Sequence, residues 1–219
     1  MARRIPAAVL AASVGALIGA CVPARASADA SVAWPRIAGV KPADEAATPP
    51  GTRCSASLAL DAGPLVLVCR EPGRAGASLW SVRTPSNTEV PQFTRILRWA
   101  GAAGARLSWH RAPACPAGEQ CIQGVLLADA FDDYCMGTTV LTIDATQRIR
   151  VAGRIPELIE VDGDPQCVGT QATLKGPAQR ADISVALPLL RQTPAGLYTP
   201  LSPPQGYRLV DGKLLRERR

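Results

Sequence analysis

Asp182-Ile183-Ser184-Val185-Ala186-Leu187-Pro188-Leu189 changes polarity almost residue by residue. Ile183, Val185, Leu187 and Leu189 occupy every second place, with Asp182, Ser184 and Ala186 between them. A period of two belongs to a strand, with one set of side chains on a buried face and the other towards water. The same alternation recurs upstream. Leu141 and Ile143 interleave with Val140 and Thr142, and Ile159 and Val161 with Glu160 and Asp162. Residues 65–69, Leu65-Val66-Leu67-Val68-Cys69, are apolar throughout, which suits a strand covered on both faces.

Turns separate these runs. Asp211-Gly212 suits a type I′ turn, and it pairs residues 207–210 with 213–217. In that register Leu209 faces Leu214 and Val210 faces Lys213. Asp144-Ala145-Thr146-Gln147 is a four-residue turn between residues 138–143 and 148–151. No stretch keeps a 3.6-residue apolar stripe with caps. Residues 100–106 are Ala-rich, but Gly101 and Gly104 each weaken a helix by roughly 1 kcal/mol. Ten to twelve strands are expected, in an all-β antiparallel sandwich or barrel.

The chain has seven cysteines in 219 residues. Cys21 lies in an N-terminal export signal. Arg3 and Arg4 supply its positive start, and residues 7–20 give an apolar stretch of about 14, within the roughly 7–15 of a signal core. Cleavage near residue 28 is one reading, after the small-x-small sites Ala24-Arg25-Ala26 and Ala26-Ser27-Ala28. The other is cleavage after residue 20, with Cys21 lipidated behind Ile18-Gly19-Ala20. Either way the protein is expected outside the cytoplasm, in the periplasm or beyond, and membrane contact comes only through Cys21.

Cys54, Cys69, Cys115, Cys121, Cys135 and Cys167 remain. An even set in an exported domain predicts up to three disulfides. Nearest-neighbour pairing joins Cys54 to Cys69 around Gly63-Pro64, Cys115 to Cys121 around a short loop, and Cys135 to Cys167. By loop entropy these contribute about 3, 2.5 and 3.5 kcal/mol. A zinc site is disfavoured, because the chain holds no Cys-x-x-Cys and a single histidine.

Residues 29–53 read as a flexible tether, interrupted by Pro35, Pro42, Pro49 and Pro50, with Trp34 able to dock on the domain. Residues 54–219 form the β-rich domain. The signal takes Arg3, Arg4 and Arg25 with it, so 24 basic residues become 21 against 18 acidic, a net +3. That balance is too mild to indicate nucleic acid. Arg216, Arg218 and Arg219 read as a solvated end.

Candidate chemistry is sparse. His110 is the only histidine and there is no Gly-x-Ser-x-Gly elbow, so a serine hydrolase lacks its parts. His110 is expected at the surface or hydrogen-bonded. Eight of the 18 acidic residues fall between Asp129 and Asp164. Asp129, Asp132, Asp133, Asp162 and Asp164 are calcium candidates, and the same cluster with Glu157 and Glu160 could serve a glycosidase. The plainer reading makes Glu160 and Asp162 the wet face of a strand. No cofactor is called for.

Cys115-Pro116-Ala117-Gly118-Glu119-Gln120-Cys121 is a loop closed at its base, and a rigid loop loses little entropy on binding. Pro116, Glu119 and Gln120 would contact a partner, with Trp109 as aromatic anchor. With only nine aromatics in the chain, Trp80, Trp99 and Trp109 are expected as core residues first, and as exposed binding residues second. The expectation is an envelope protein that binds another protein, of inhibitor or immunity type. The alternatives are a small exported hydrolase using the acidic cluster and a structural or assembly lipoprotein.

Overall fold

The computed structural model describes residues 32–37, 39–44, 48–61, 63–84, 90–115, 119–132, 135–155, 171–186, 190–192, 198–200 and 205–217. These form sixteen strands and no helix. Four strands are only two or three residues long: β1 (Arg36–Ile37), β2 (Val40–Lys41), β13 (Leu190–Gln192) and β14 (Tyr198–Pro200). The other twelve match the number expected from sequence.

The longer strands make three antiparallel sheets. The front sheet has the order β2-β3-β4-β5-β6, with β3 (Arg53–Ala59), β4 (Leu65–Arg70), β5 (Ala77–Arg83) and β6 (Gln92–Trp99). The middle sheet runs β1-β7-β8-β9-β10, with β7 (Gly104–Arg111), β8 (Ile122–Phe131), β9 (Cys135–Asp144) and β10 (Ile149–Ile155). The back sheet is β11-β12-β15-β16, with β11 (Gln171–Lys175), β12 (Arg180–Ala186), β15 (Gln205–Val210) and β16 (Lys213–Arg216). β13 and β14 pair as a separate ribbon.

Two apolar layers separate the three sheets. Leu58, Val66, Val68 and Leu79 of the front sheet pack with Leu107, Trp109, Leu126, Leu141 and Ile143 of the middle one. Val125, Leu127, Val140 and Ile155 point the other way, against Leu174, Ala181, Ile183, Tyr207 and Leu209 of the back sheet. The alternation therefore has a different meaning in β9. Leu141 and Ile143 bury on one face, and Val140 and Thr142 bury on the other. The face expected to meet water is covered by a third sheet.

Buried polar side chains on both faces of β9 find partners. On the front face Thr139 Oγ1 accepts from the Trp99 indole at 3.0 Å, and on the back face Thr138 donates to Asp129. β4 is covered on both faces as its apolar run implies: Val66 and Val68 face the middle sheet, while Leu67 and Cys69 sit with Val82 and Trp80 on the outer side.

Both expected hairpins form. Leu209 faces Leu214 and Val210 faces Lys213 across Asp211 (φ 50°) and Gly212 (φ 71°). Two positive φ values in succession are what a type I′ turn requires. β9 and β10 pair around residues 144–147, where Asp144 Oδ1 accepts from Thr146 N and Arg148 N at 2.9 and 3.0 Å. The strand expected around Ile159 and Val161 lies outside the described residues, as do Leu187 and Leu189.

The segment read as a tether is largely built into the fold. Ala33 bridges Lys175 at the β11 edge, Arg36 and Ile37 pair with His110 and Trp109 at the β7 edge, and Val40 and Lys41 pair with Leu58 and Ser57 at the β3 edge. Residues 33, 36–37 and 40–41 thus pair along one edge of all three sheets. Trp34 is 4% exposed, in the layer between middle and back sheets. Each pairing is too short to show a period, and Pro35 and Pro42 interrupt the run, so the sequence carries no strand signature there.

At the opposite edge, Gly153 follows a bulge in β10 and lets Leu214 of β16 approach; a Cβ at residue 153 would meet the Leu214 side chain. No helix among the described residues is long and apolar enough to cross a membrane.

Candidate functional site

Two disulfides form, both as expected from nearest-neighbour pairing. Cys54 and Cys69 are direct cross-strand partners on β3 and β4, and Cys115 joins Cys121 at the base of the β7–β8 loop. Bonds of this kind persist in oxidising compartments. The pairing of Cys135 with Cys167 lies outside the described residues.

The Cys115–Cys121 loop borders a cavity of about 520 Å³ at one end of the sandwich. Its walls are the 60–63 turn of the front sheet, the residues after β7, the start of β8, and the β9–β10 turn. Leu60, Trp109 and Ile143 line it from the front–middle core. Arg111, Asp61 and Glu119 supply its charges.

Of the two readings of Trp109, the core one fits: it is 2% exposed, a core residue bordering the cavity from inside, and not an exposed anchor. β7 turns alternate residues to the front sheet, so Trp109 follows Ala105 and Leu107 into that core. Gly124 on the neighbouring strand makes room for it. A Cβ there would run into the Trp109 ring and the His110 carbonyl. A lone glycine within a strand pattern signals such a close approach.

Asp61 ties the two sheets together at the mouth. Its carboxylate accepts from Arg111 Nε at 2.7 Å and from Arg111 Nη2, and the Trp109 indole donates to it at 3.3 Å. The Arg111 guanidinium holds the Asp61 carboxyl below the usual range, partial burial opposes this, and the Trp109 indole adds to the lowering. The same pair raises Arg111. Asp61 and Arg111 are 50 residues apart, so only the fold brings them together.

Glu119 and Gln120 are exposed, as expected. Glu119 lies at the cavity and accepts from the side-chain amide of Gln179, which belongs to the turn before β12. Pro116 lies outside the described residues.

His110, expected at the surface or hydrogen-bonded, is buried and hydrogen-bonded to the Trp34 backbone. It is 4% exposed on the β7 face opposite Trp109, and its Nδ1 has no hydrogen-bond partner among the described residues. Burial is the main cause that lowers its pKa; the Arg36 charge lowers it further, and the Trp34 carbonyl acts the other way. The back sheet and residues 32–37 cover what a two-layer sandwich would leave wet.

The acidic candidates do not assemble into a described site. Asp129 is buried on β8 and accepts from Thr138, and Asp132 is exposed. Asp133, Asp162 and Asp164 lie outside the described residues, with Glu157 and Glu160. Among the described residues no group of three or more His, Cys, Asp or Glu could hold a metal ion.

A second concavity of about 420 Å³ lies on the back sheet, lined by Lys175, Asp182, Gly206 and Glu217 among others. Its two carboxylates share one cation outside the lining: Arg208 donates to Asp182 at 3.0 Å and to Glu217 at 2.7 Å. The first cavity combines an apolar floor with a few convergent polar groups, the usual make-up of a binding site. No known protein-family model, curated protein or solved structure matches this chain, so its reading rests on this geometry.

Proposed function

We propose that this chain is an exported envelope protein that acts by binding another protein, in the manner of an inhibitor or immunity-type protein. The observation that carries the reading is an apolar cavity lined by the disulfide-joined loop ends Cys115 and Cys121 and by Glu119, with Asp61, Arg111 and Trp109 clamped together at its mouth. Such a site is held in shape before a partner arrives, so little ordering entropy opposes binding. The charged start, the apolar core of residues 7–20 and the small-x-small sites support export to the periplasm or beyond. Acylation of Cys21 would add a membrane anchor.

A pull-down from envelope extract tests the binding reading. Glu119→Ala with Gln120→Ala leaves the fold intact, since both side chains are exposed. The captured partner should bind this variant at least tenfold more weakly, about 1.4 kcal/mol. Unchanged affinity overturns the loop as the binding element. N-terminal sequencing of the native protein tests export: a start within residues 21–30 supports it, and an intact Met1 or Ala2 refutes it.

A further inference from the structure

We infer that the cavity beside the Cys115–Cys121 loop receives one large apolar side chain of the partner polypeptide, and that Glu119 selects a lysine or arginine next to it. This rests on the protein-binding reading above and specifies what that site recognises.

The apolar half of the inference comes from the floor. Leu60, Trp109 and Ile143 belong to the front–middle core and still line the cavity, so the core reaches the surface there. At about 520 Å³ the space falls within the roughly 300–1,000 Å³ of small-ligand pockets. It can admit an aromatic side chain with some of its backbone. Such a guest removes apolar surface from water on both sides.

The charged half comes from the mouth. Asp61 and Arg111 neutralise each other, and two guanidinium nitrogens are committed to that carboxylate. Glu119 has only a neutral partner, the Gln179 amide. No salt bridge to Glu119 forms among the described residues, and it is exposed. The mouth is therefore locally negative, although residues 29–219 carry 21 basic against 18 acidic side chains. An anionic guest would meet Glu119 with no cation left to answer it. A cationic guest gains a pairing that the free protein lacks, and complementary charge of this kind sets specificity and encounter rate.

The test is an NMR titration of the full oxidised chain with blocked tetrapeptides, following the Trp109 indole resonance. The probes are Gly-Phe-Lys-Gly, Gly-Phe-Glu-Gly and Gly-Ala-Lys-Gly, with n-hexylamine as a non-peptide cation. The Phe-Lys peptide should bind at least tenfold more tightly than either other peptide. Glu119→Gln, which keeps the contact with Gln179 possible, should reduce the Lys-over-Glu preference below threefold. Equal binding of the Phe-Lys and Phe-Glu peptides overturns the charge selection and leaves the protein-binding reading to the pull-down. Hexylamine binding as tightly as the Phe-Lys peptide makes this a small-molecule site and overturns the polypeptide guest. No Trp109 shift with any peptide overturns the cavity as the docking point, whatever the pull-down returns.

Discussion

The indole of Trp34 donates to the carbonyl of Gly176 at 2.7 Å, across 142 residues of sequence. Around that bond the backbone repeats the connection: Trp34 N donates to Leu174 O at 2.9 Å, and Gly176 N donates to Val32 O at 3.0 Å. One residue of the N-terminal segment thereby locks the back sheet, while the next few pair with the middle sheet. Trp34→Ala should destabilise the protein by about 3–5 kcal/mol, as for other buried aromatic truncations. Trp34→Phe keeps most of the packing and loses the bond, so its cost should be smaller by at least half. Urea midpoints at constant slope measure both. A Trp34→Ala loss below about 1 kcal/mol would mean that residues 32–37 are dispensable to the fold.

His110 predicts a pH dependence near neutrality. Its folded pKa lies below the ordinary 6.5, through burial first and Arg36 second. The unfolded chain then binds the proton at a pH where the folded chain does not. Stability from this group is fully present above pH 6.5 and is lost as pH falls from there through the folded pKa. Asp61 and Asp144 also have lowered pKa values, but theirs depart from 3.8, so their contribution is lost only in more acid solution. Urea unfolding at pH 7.5, 6.5 and 5.5 should show decreasing stability in the wild type and a flatter profile in His110→Leu. Identical slopes for the two proteins would remove His110 as the cause.

Gly124 carries a prediction that links core and cavity. A methyl group there collides with the Trp109 ring and the His110 carbonyl, so Gly124→Ala should cost about 1–3 kcal/mol. It should also displace Trp109 and alter its near-UV circular dichroism. Gly39→Ala is the control, because its Cβ would meet only Leu58 Cδ1 at 3.7 Å, an ordinary contact. A loss at Gly124 no larger than at Gly39 would show that β8 yields easily beneath Trp109.

What could be read in the sequence was local. Asp211-Gly212 fixed a hairpin register because a two-residue turn leaves no freedom in how Leu209 meets Leu214. Cys54 and Cys69 flank one turn, so their pairing followed from adjacency. The third layer was not legible. Thr138 and Thr142, on the Val140 side of β9, look like a wet face, and only the folded chain shows Asp129 and the back sheet against them. The site divides in the same way. The loop announced itself through Cys115 and Cys121, whereas the Asp61–Arg111 clamp joins residues from different sheets. Gly124 was the available signal for the buried position of Trp109.

The two disulfides should differ in how readily they are reduced. Cys69 is wholly buried and Cys54 is half-buried beside it, whereas Cys115 is exposed at the cavity rim. Thiol attack needs access to a sulfur, so graded reduction should open Cys115–Cys121 first. Alkylation and peptide mapping should find these two cysteines labelled while Cys54 and Cys69 remain protected. Opening removes about 2.5 kcal/mol by loop entropy, less than the roughly 3 kcal/mol held by the wider Cys54–Cys69 loop. The front and middle sheets should therefore survive, with the loop ends no longer fixed over Leu60 and Trp109. Partner binding should fall at least tenfold at that point while the far-UV spectrum stays unchanged. Labelling of Cys54 and Cys69 at the same reductant concentration, or full binding by the Cys115→Ser/Cys121→Ser variant, would separate the disulfide from the site.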